Sequence, residues 1–173
     1  MSVSFGLKAS TPKRRAAVPL AAFTAVEDDE NEAVLSEVEK QAESDRLQSE
    51  GNVAADAEKY SSALQAWDKA LRLTPARAVL HEQKAQVFLQ LDRYWDAVQC
   101  ATEAAALESG WADAFLTLGR AQLGLGEPEL ALKSMETVLQ LKPDLQEAQN
   151  EIAEVRVLVL QRNQQPGGFA RQI

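Results

Sequence analysis

Side chains that commonly carry catalysis or hold a metal ion are scarce in this sequence. His81 and Cys100 are its single histidine and single cysteine. Catalytic and metal sites need several such groups that converge in one place. The sequence contains no metal-ligand spacing, phosphate-binding loop or nucleophile elbow. We therefore interpret His81 and Cys100 as packing residues between helices, and we expect no enzymatic activity, no metal and no cofactor.

The charge and hydropathy of the chain disfavour two classes of partner. The net charge is −8, whereas binding to a nucleic acid requires clustered lysine and arginine side chains. No apolar run approaches the ~20 residues that span a bilayer, so no membrane partner is expected. A single cysteine cannot form an intramolecular disulfide, which fits a reducing compartment.

The first 26 residues contain no acidic side chain and four basic ones. Three interpretations remain open for this segment. It is a disordered tail, a nuclear import signal built on Lys13-Arg14-Arg15, or an organellar transit peptide, since those are basic, serine-rich and poor in acids. The expected location is therefore cytoplasmic or nuclear, with organellar import left open.

A constant interval between small, apolar and proline residues organises most of the remaining chain. The residues that recur at one or two steps of this interval are Gly51 and Gly119; Ala63, Ala97 and Ala131; Leu73, Leu107 and Leu141; Pro75 and Pro143. Within each interval, two stretches have apolar residues at helical spacing, and proline or glycine separates them. A fixed period of about 34 residues with two helices per period is typical of tetratricopeptide repeats.

The period predicts one helical domain over residues 30–163, with a helix before and after its repeats. The repeats span about residues 44–77, 78–111 and 112–145. An acidic helix is expected over residues 30–57, with acids near its start to offset the helix dipole. A helix over residues 144–161 is expected to cover the last apolar surface of the array. Residues 1–29 and 164–173 are expected to be disordered tails.

Residues 44–145 resemble the tetratricopeptide repeat superfamily. The resemblance implies an all-α, right-handed superhelical array of three helix pairs, with an acidic N-terminal helix and a C-terminal capping helix. Three phrases, Leu118–Glu127, Trp67–Pro75 and Ser4–Lys8, look more narrowly like the tetratricopeptide repeat protein 33 family. That resemblance implies a protein-interaction role without catalysis.

In this superfamily the first helix of each pair lines a concave groove. The superfamily's groove positions fall here on Gln48, Asn52, Glu82, Gln83, Gln86, Leu89, Asp113, Leu116, Thr117, Arg120 and Leu123. Amide and guanidinium side chains can bind a peptide backbone or a carboxylate. Because the full set of groove positions holds four acids and one base, we expect a neutral or basic protein or peptide partner. The protein would act as an adaptor or as a subunit of a larger complex.

Two alternatives concern the role of this groove. Co-chaperones that bind the acidic C-termini of heat-shock proteins resemble one another in five groove residues: lysine and asparagine in the first repeat, asparagine in the second, and lysine and arginine in the third. The matching residues here are Gln48, Asn52, Gln83, Asp113 and Thr117, of which only Asn52 agrees. Asp113 reverses a charge and would repel an acidic peptide. The second alternative is an accessory subunit of an enzyme complex.

Trp95 and Trp111 lie off the repeat pattern. Exposed aromatic side chains can anchor a partner. The other interpretation is that they cover the array or pack on the N-terminal tail.

Overall fold

In the computed structural model, the backbone is described for residues 21–164 and the side chains for residues 36–164. That part of the chain forms seven α-helices and no strand: α1 Ala21–Asp56, α2 Tyr60–Leu73, α3 Ala78–Gln90, α4 Tyr94–Leu107, α5 Ala112–Gly124, α6 Pro128–Leu141 and α7 Gln146–Gln164. The predicted all-α fold class is confirmed. Helices α2, α4 and α6 start one sequence interval apart, at Tyr60, Tyr94 and Pro128, so the sequence period is also the structural period.

Helix α1 begins at Ala21, earlier than the predicted start near residue 30. Alanines at positions 21, 22 and 25 favour helix, and no proline follows Pro19 until Pro75. Residues 27–30 therefore lie inside α1 and not at its start. Of the tails predicted at residues 1–29 and 164–173, residues 21–29 and Gln164 are helical, and the rest lie outside the described residues. The candidate site lies within the compact unit that starts at Glu39.

Small side chains at the repeat interval form the closest helix contacts. Ala63, Ala97 and Ala131 have no exposed surface, as the sequence period predicted. Gly51 belongs to the same pattern, because a Cβ atom there would lie 2.3 Å from Nε1 of Trp67. The Trp67 indole is only 2% exposed and fills the space between α1 and α2.

The turn after the first helix of each period has a left-handed backbone. Glu58, Asp92 and Gly126 occupy the same position in successive periods and have φ angles of 57°, 55° and 82°. A side chain at such a φ angle is strained, whereas glycine adopts it freely. Pro128 then occupies the start of α6, where its missing N–H is not needed.

Helix α7 covers apolar surface of the preceding helices, as predicted for residues 144–161. Its Ile152 and Val155 pack with Ala131 and Met135 of α6. Its Ala148 packs in the neighbouring cluster. The boundaries of the predicted domain and the handedness of the array remain predictions.

Candidate functional site

Helices α1, α3 and α5 form a polar surface that contains two adjoining cavities. The first, about 410 Å³, is lined by Asn52, Ala55, Asp56, Tyr60, Trp67, Gln83, Gln86, Val87 and Gln90. The second, about 420 Å³, is lined by Gln86, Leu89, Gln90, Thr117 and Arg120. Since Gln86 and Gln90 line both cavities, the two form one depression running from α1 to α5, which we call the groove.

The groove is lined by amide side chains at its α1 end. Trp67 Nε1 donates to Asn52 Oδ1 at 3.2 Å and lies 3.4 Å from the backbone oxygen of Gln48. The side chain of Gln48 donates to Gln83 Oε1 at 3.1 Å. Among the described residues, no hydrogen bond uses Nδ2 of Asn52 or Nε2 of Gln83. Both amide nitrogens can therefore donate to a carbonyl oxygen of a ligand.

A carboxyl group lies behind the middle of the groove. Glu82 is 4% exposed, and its Oε1 accepts from Thr117 Oγ1 at 2.8 Å and from Gln86 Nε2 at 2.6 Å. No lysine or arginine of the described part of the chain forms an ion pair with it. Burial raises the pKa of the Glu82 carboxyl; the two hydrogen bonds act against this shift, and the charge of Asp113 adds to it.

Arg120 forms an ionic cluster with helix α7 at the other end of the groove. Its Nε donates to both carboxylate oxygens of Glu151 at 3.1 Å, and its Nη2 contacts Glu151 and, at 2.5 Å, Glu147. The hydrogen bonds to Glu151 are the main reason why the pKa of Arg120 is raised above its ordinary value. One cation meets two carboxylates, so the cluster carries a negative charge.

Six of the predicted groove residues line the cavities: Asn52, Gln83, Gln86, Leu89, Thr117 and Arg120. Gln48 and Glu82 lie beside them and hold cavity residues in place through hydrogen bonds. The structure therefore brings together residues of three helices that are separated by one repeat interval.

Three predicted groove residues lie elsewhere. Leu116 is 5% exposed and belongs to a core cluster to which α7 contributes. Leu123 packs against the cluster that α6 and α7 share. Asp113 lines neither cavity; it accepts from Trp111 Nε1 at 3.1 Å and pairs with Lys142 at 3.2 Å. Helix α7 contributes to the clusters that hold Leu116 and Leu123, and Lys142, just after α6, pairs with Asp113. The use of these three positions in binding stays a prediction.

Sequence reasoning missed three residues of this region. Tyr60 lines the groove from the start of α2. The sequence prediction used only positions on the first helix of each pair, so it could not include a residue of a second helix. Glu147 and Glu151 follow Asp113 and Thr117 by one repeat interval. Continuing the interval into α7 would have placed both glutamates beside the groove.

His81 and Cys100, the other residues considered for chemistry, lie on α3 and α4. His81 Nε2 lies 3.2 Å from the carbonyl oxygen of Pro75, which accepts a hydrogen bond. Cys100 packs beside Ala85 and Leu118, and burial raises the pKa of its thiol. Within residues 36–164, no group of three or more His, Cys, Asp or Glu side chains is arranged to hold a metal ion.

Trp95 lies on a different part of the surface from the groove. Trp95 is 63% exposed and lines a separate cavity of about 560 Å³ beside α3 and α4. The helices of the described residues are all too short or too polar to cross a membrane.

Comparison with known proteins finds relatives with similar sequences and folds. No family model matches the chain. Tetratricopeptide repeat protein 33 of Mus musculus is 44% identical over 100 residues, which are 58% of this chain and 38% of that protein. The Xenopus laevis protein of that name is 38% identical over 122 residues, or 70% of this chain and 47% of that protein.

A solved structure of a tetratricopeptide domain has a similar fold. The first tetratricopeptide domain of Spaghetti (RPAP3), bound to the HSP90 peptide SRMEEVD, matches with a TM-score of 0.68 at 27% identity. The match covers 69% of this chain and 95% of that one. The chain has the fold of tetratricopeptide repeat domains. More narrowly, it is similar to tetratricopeptide repeat protein 33, and it spans less than half the length of the two relatives named above.

Proposed function

We propose that this domain binds a peptide segment or a single helix of a partner protein in the groove, as an adaptor or as a subunit of a larger complex. The observation that carries the proposal is the joining of two cavities through Gln86 and Gln90. A similar domain is bound to a peptide, which supports the same use of this fold.

The amide side chains suit a ligand with an exposed backbone. An extended peptide presents N–H and C=O groups at regular intervals, and an amide side chain can both donate and accept. Neighbouring helix axes are separated by about 10 Å, so a groove that crosses from α1 to α5 is about 20 Å long. That length accommodates about six extended residues.

Docking of an acidic heat-shock peptide is the second candidate, because the similar RPAP3 domain is bound to the HSP90 peptide SRMEEVD. The groove chemistry of this chain opposes it. Thr117 is neutral and Arg120 is already paired with two carboxylates, while Asp113, outside the two cavities, adds an acid at the start of α5. We expect SRMEEVD to bind with a Kd of about 0.1 mM or weaker; micromolar binding that Asn52→Ala abolishes would favour this second candidate.

A substitution that obstructs the groove tests the proposal. Gln90 is exposed and lines both cavities, so Gln90→Trp places a bulky side chain where they meet. Gln140→Trp adds the same side chain at an exposed position of α6 and is the matched control. The two variants and the native chain would be used as baits for affinity capture from cell extract, after circular dichroism has shown equal helix content.

We expect partners to be retained by the native chain and by Gln140→Trp, and to be lost by Gln90→Trp. If all three baits retained the same partners, the groove would not be the binding surface. Loss with Trp95→Ala but not with Gln90→Trp would place the surface on α4 instead.

A further inference from the structure

We propose that the α5–α7 end of the groove selects a partner segment that carries a lysine or arginine side chain. Glu147 and Glu151 determine this selection because they are already paired with Arg120, the cation that an acidic ligand would otherwise bind. The inference rests on the proposed function, since it names the charge of the segment that the groove binds.

Arg120 is the only basic residue, within the described part of the chain, that lines either cavity of the groove. Glu151 contacts its Nε and Nη2 atoms together, which is the paired arrangement that a carboxylate of a ligand would also adopt. Glu147 contacts Nη2 as well. An acidic ligand must therefore displace two carboxylates that the fold holds at high effective concentration.

The surrounding charges favour a cation. The cluster has two carboxylates for one guanidinium. Behind the wall of the second cavity, Glu82 is bonded through Oε1 alone, and its Oε2 forms no hydrogen bond with another described residue. The two donors to Glu82, Gln86 and Thr117, both line that cavity. The carboxyl groups of α3 and α7 are each hydrogen-bonded to residues that line this cavity. A lysine or arginine side chain that enters the cavity therefore comes close to carboxyl groups from two helices, and to one cation that is already paired.

This arrangement differs from that of a groove that binds acidic peptide tails. Like charges across an interface disfavour the wrong ligand, so repulsion contributes to specificity as much as attraction does. Asp113, at the start of α5, pairs with Lys142, so that this lysine is also paired with a carboxylate. The occupied Arg120 is thus a specificity determinant that acts against acidic peptides.

Degenerate peptide pools test the inference although the sequence of the ligand is unidentified. Each pool fixes one position as Lys, Arg, Glu or Gln and leaves the other positions mixed; the full chain is immobilised and the bound peptides are quantified by mass spectrometry. The test variant is Glu147→Gln/Glu151→Gln. The control is Glu103→Gln/Glu108→Gln, which makes the same change in net charge at exposed positions on and just after α4.

We expect the native chain and the control to enrich the Lys and Arg pools over the Glu pool by about tenfold. The test variant is expected to lose that preference or to invert it. Enrichment of the Glu pool by the native chain, or an unchanged Lys and Arg preference in the test variant, would overturn the inference and leave peptide binding by the groove intact. If no pool bound to the native chain, peptide binding itself would fail, and the inference with it.

Arg120→Gln keeps the inference testable should the double glutamine variant fold poorly. It removes the cation and leaves both glutamates facing the groove. We expect its preference for the Lys and Arg pools to exceed that of the native chain. A weaker preference, or one equal to that of the native chain, would contradict the role assigned to the cluster.

Discussion

The two ends of the groove differ in chemistry and in what holds them. At the α1 end, the Asn52 amide accepts a hydrogen bond from the buried indole of Trp67, and the Gln83 amide accepts one from Gln48. At the α5 end, Arg120 is held by carboxylates from α7. Amides suit the backbone that every peptide has, whereas fixed charges discriminate between ligands by sign. In the proposed function, the α1 end therefore binds the backbone of any peptide, and the α5 end selects among peptides by their charge.

The supports at the two ends respond to different changes. A buried aromatic side chain stabilises through packing, which salt hardly affects, whereas partly exposed ion pairs contribute little and are screened. Substitutions at the α1 end should therefore change the stability of the fold, and substitutions at the α5 end should mainly change its response to charge.

The largest effect is expected from Trp67→Ala at the α1 end. The indole is almost fully buried, contacts Leu47 and Leu80 and donates to Asn52, so its loss should cost about 3–5 kcal/mol of unfolding free energy. Urea unfolding followed by circular dichroism measures the change. The control Trp95→Ala removes an exposed indole and should cost less than about 0.5 kcal/mol; equal losses would show that Trp67 does not support this end.

The turns that follow α1 and α5 should respond oppositely to glycine. Gly126→Ala places a side chain at a left-handed φ angle and should cost about 1–2 kcal/mol, although a Cβ atom there has no neighbour within 4 Å. Glu58→Gly relieves the same strain after α1 but increases the entropy of the unfolded chain, so a gain of about 0.5 kcal/mol is expected. Thermal melts measure whether each substitution stabilises or destabilises the fold. If Gly126→Ala were stabilising, the proposed backbone strain at this turn would be wrong.

Glu82, between the two ends, should make stability depend on pH. Its folded-state pKa is raised, so on raising the pH the unfolded chain loses this proton first. The stability that protonated Glu82 contributes is complete below its unfolded pKa of about 4.5 and is lost as the pH rises through the folded pKa. Glu82→Gln should therefore raise the unfolding free energy by about 1 kcal/mol at pH 7. Melts at several pH values should show the gain vanish below the unfolded pKa; a gain that persisted there would have another cause.

The smallest effect is expected from Arg120→Gln at the α5 end. Because Arg120 is partly exposed and solvent screens its ion pairs, its loss should cost about 0.5–1 kcal/mol at low salt. The difference from the native chain should shrink as the salt concentration rises from about 0.1 M to about 1 M. A salt-independent loss would mean that the side chain stabilises through packing instead.

The sequence interval predicted the helices, because the apolar spacing and the proline or glycine residues that separate helices can be recognised within each repeat. The groove positions came from the superfamily resemblance, and their use in binding stays a prediction. Alanines such as Ala63 and Ala97 recur where helices cross, and that spacing is visible without a structure. The start of α1 was less predictable, because the acids at residues 27–30 are compatible with a helix start and also with a helix interior. Propensity alone does not distinguish the two.

The α5 end of the groove was the least predictable part. Positions carried over from a superfamily assume that the inner face stays uncovered, but α7 packs over Leu116 and Leu123. Arg120 meets its partners 27 and 31 residues further along the chain. Pairings at such separation depend on where the last helix packs, which a local pattern does not specify.

The most direct test of the central claim is site-specific photo-crosslinking in cell extract. A photoreactive phenylalanine analogue would replace Gln90 in the groove or, separately, Gln140 on α6. If the groove binds the partner, irradiation should yield an adduct from position 90 that excess native chain competes away, and none from position 140. Adducts from position 140, or their absence at position 90 while the partner is still captured, would contradict the groove as the binding surface.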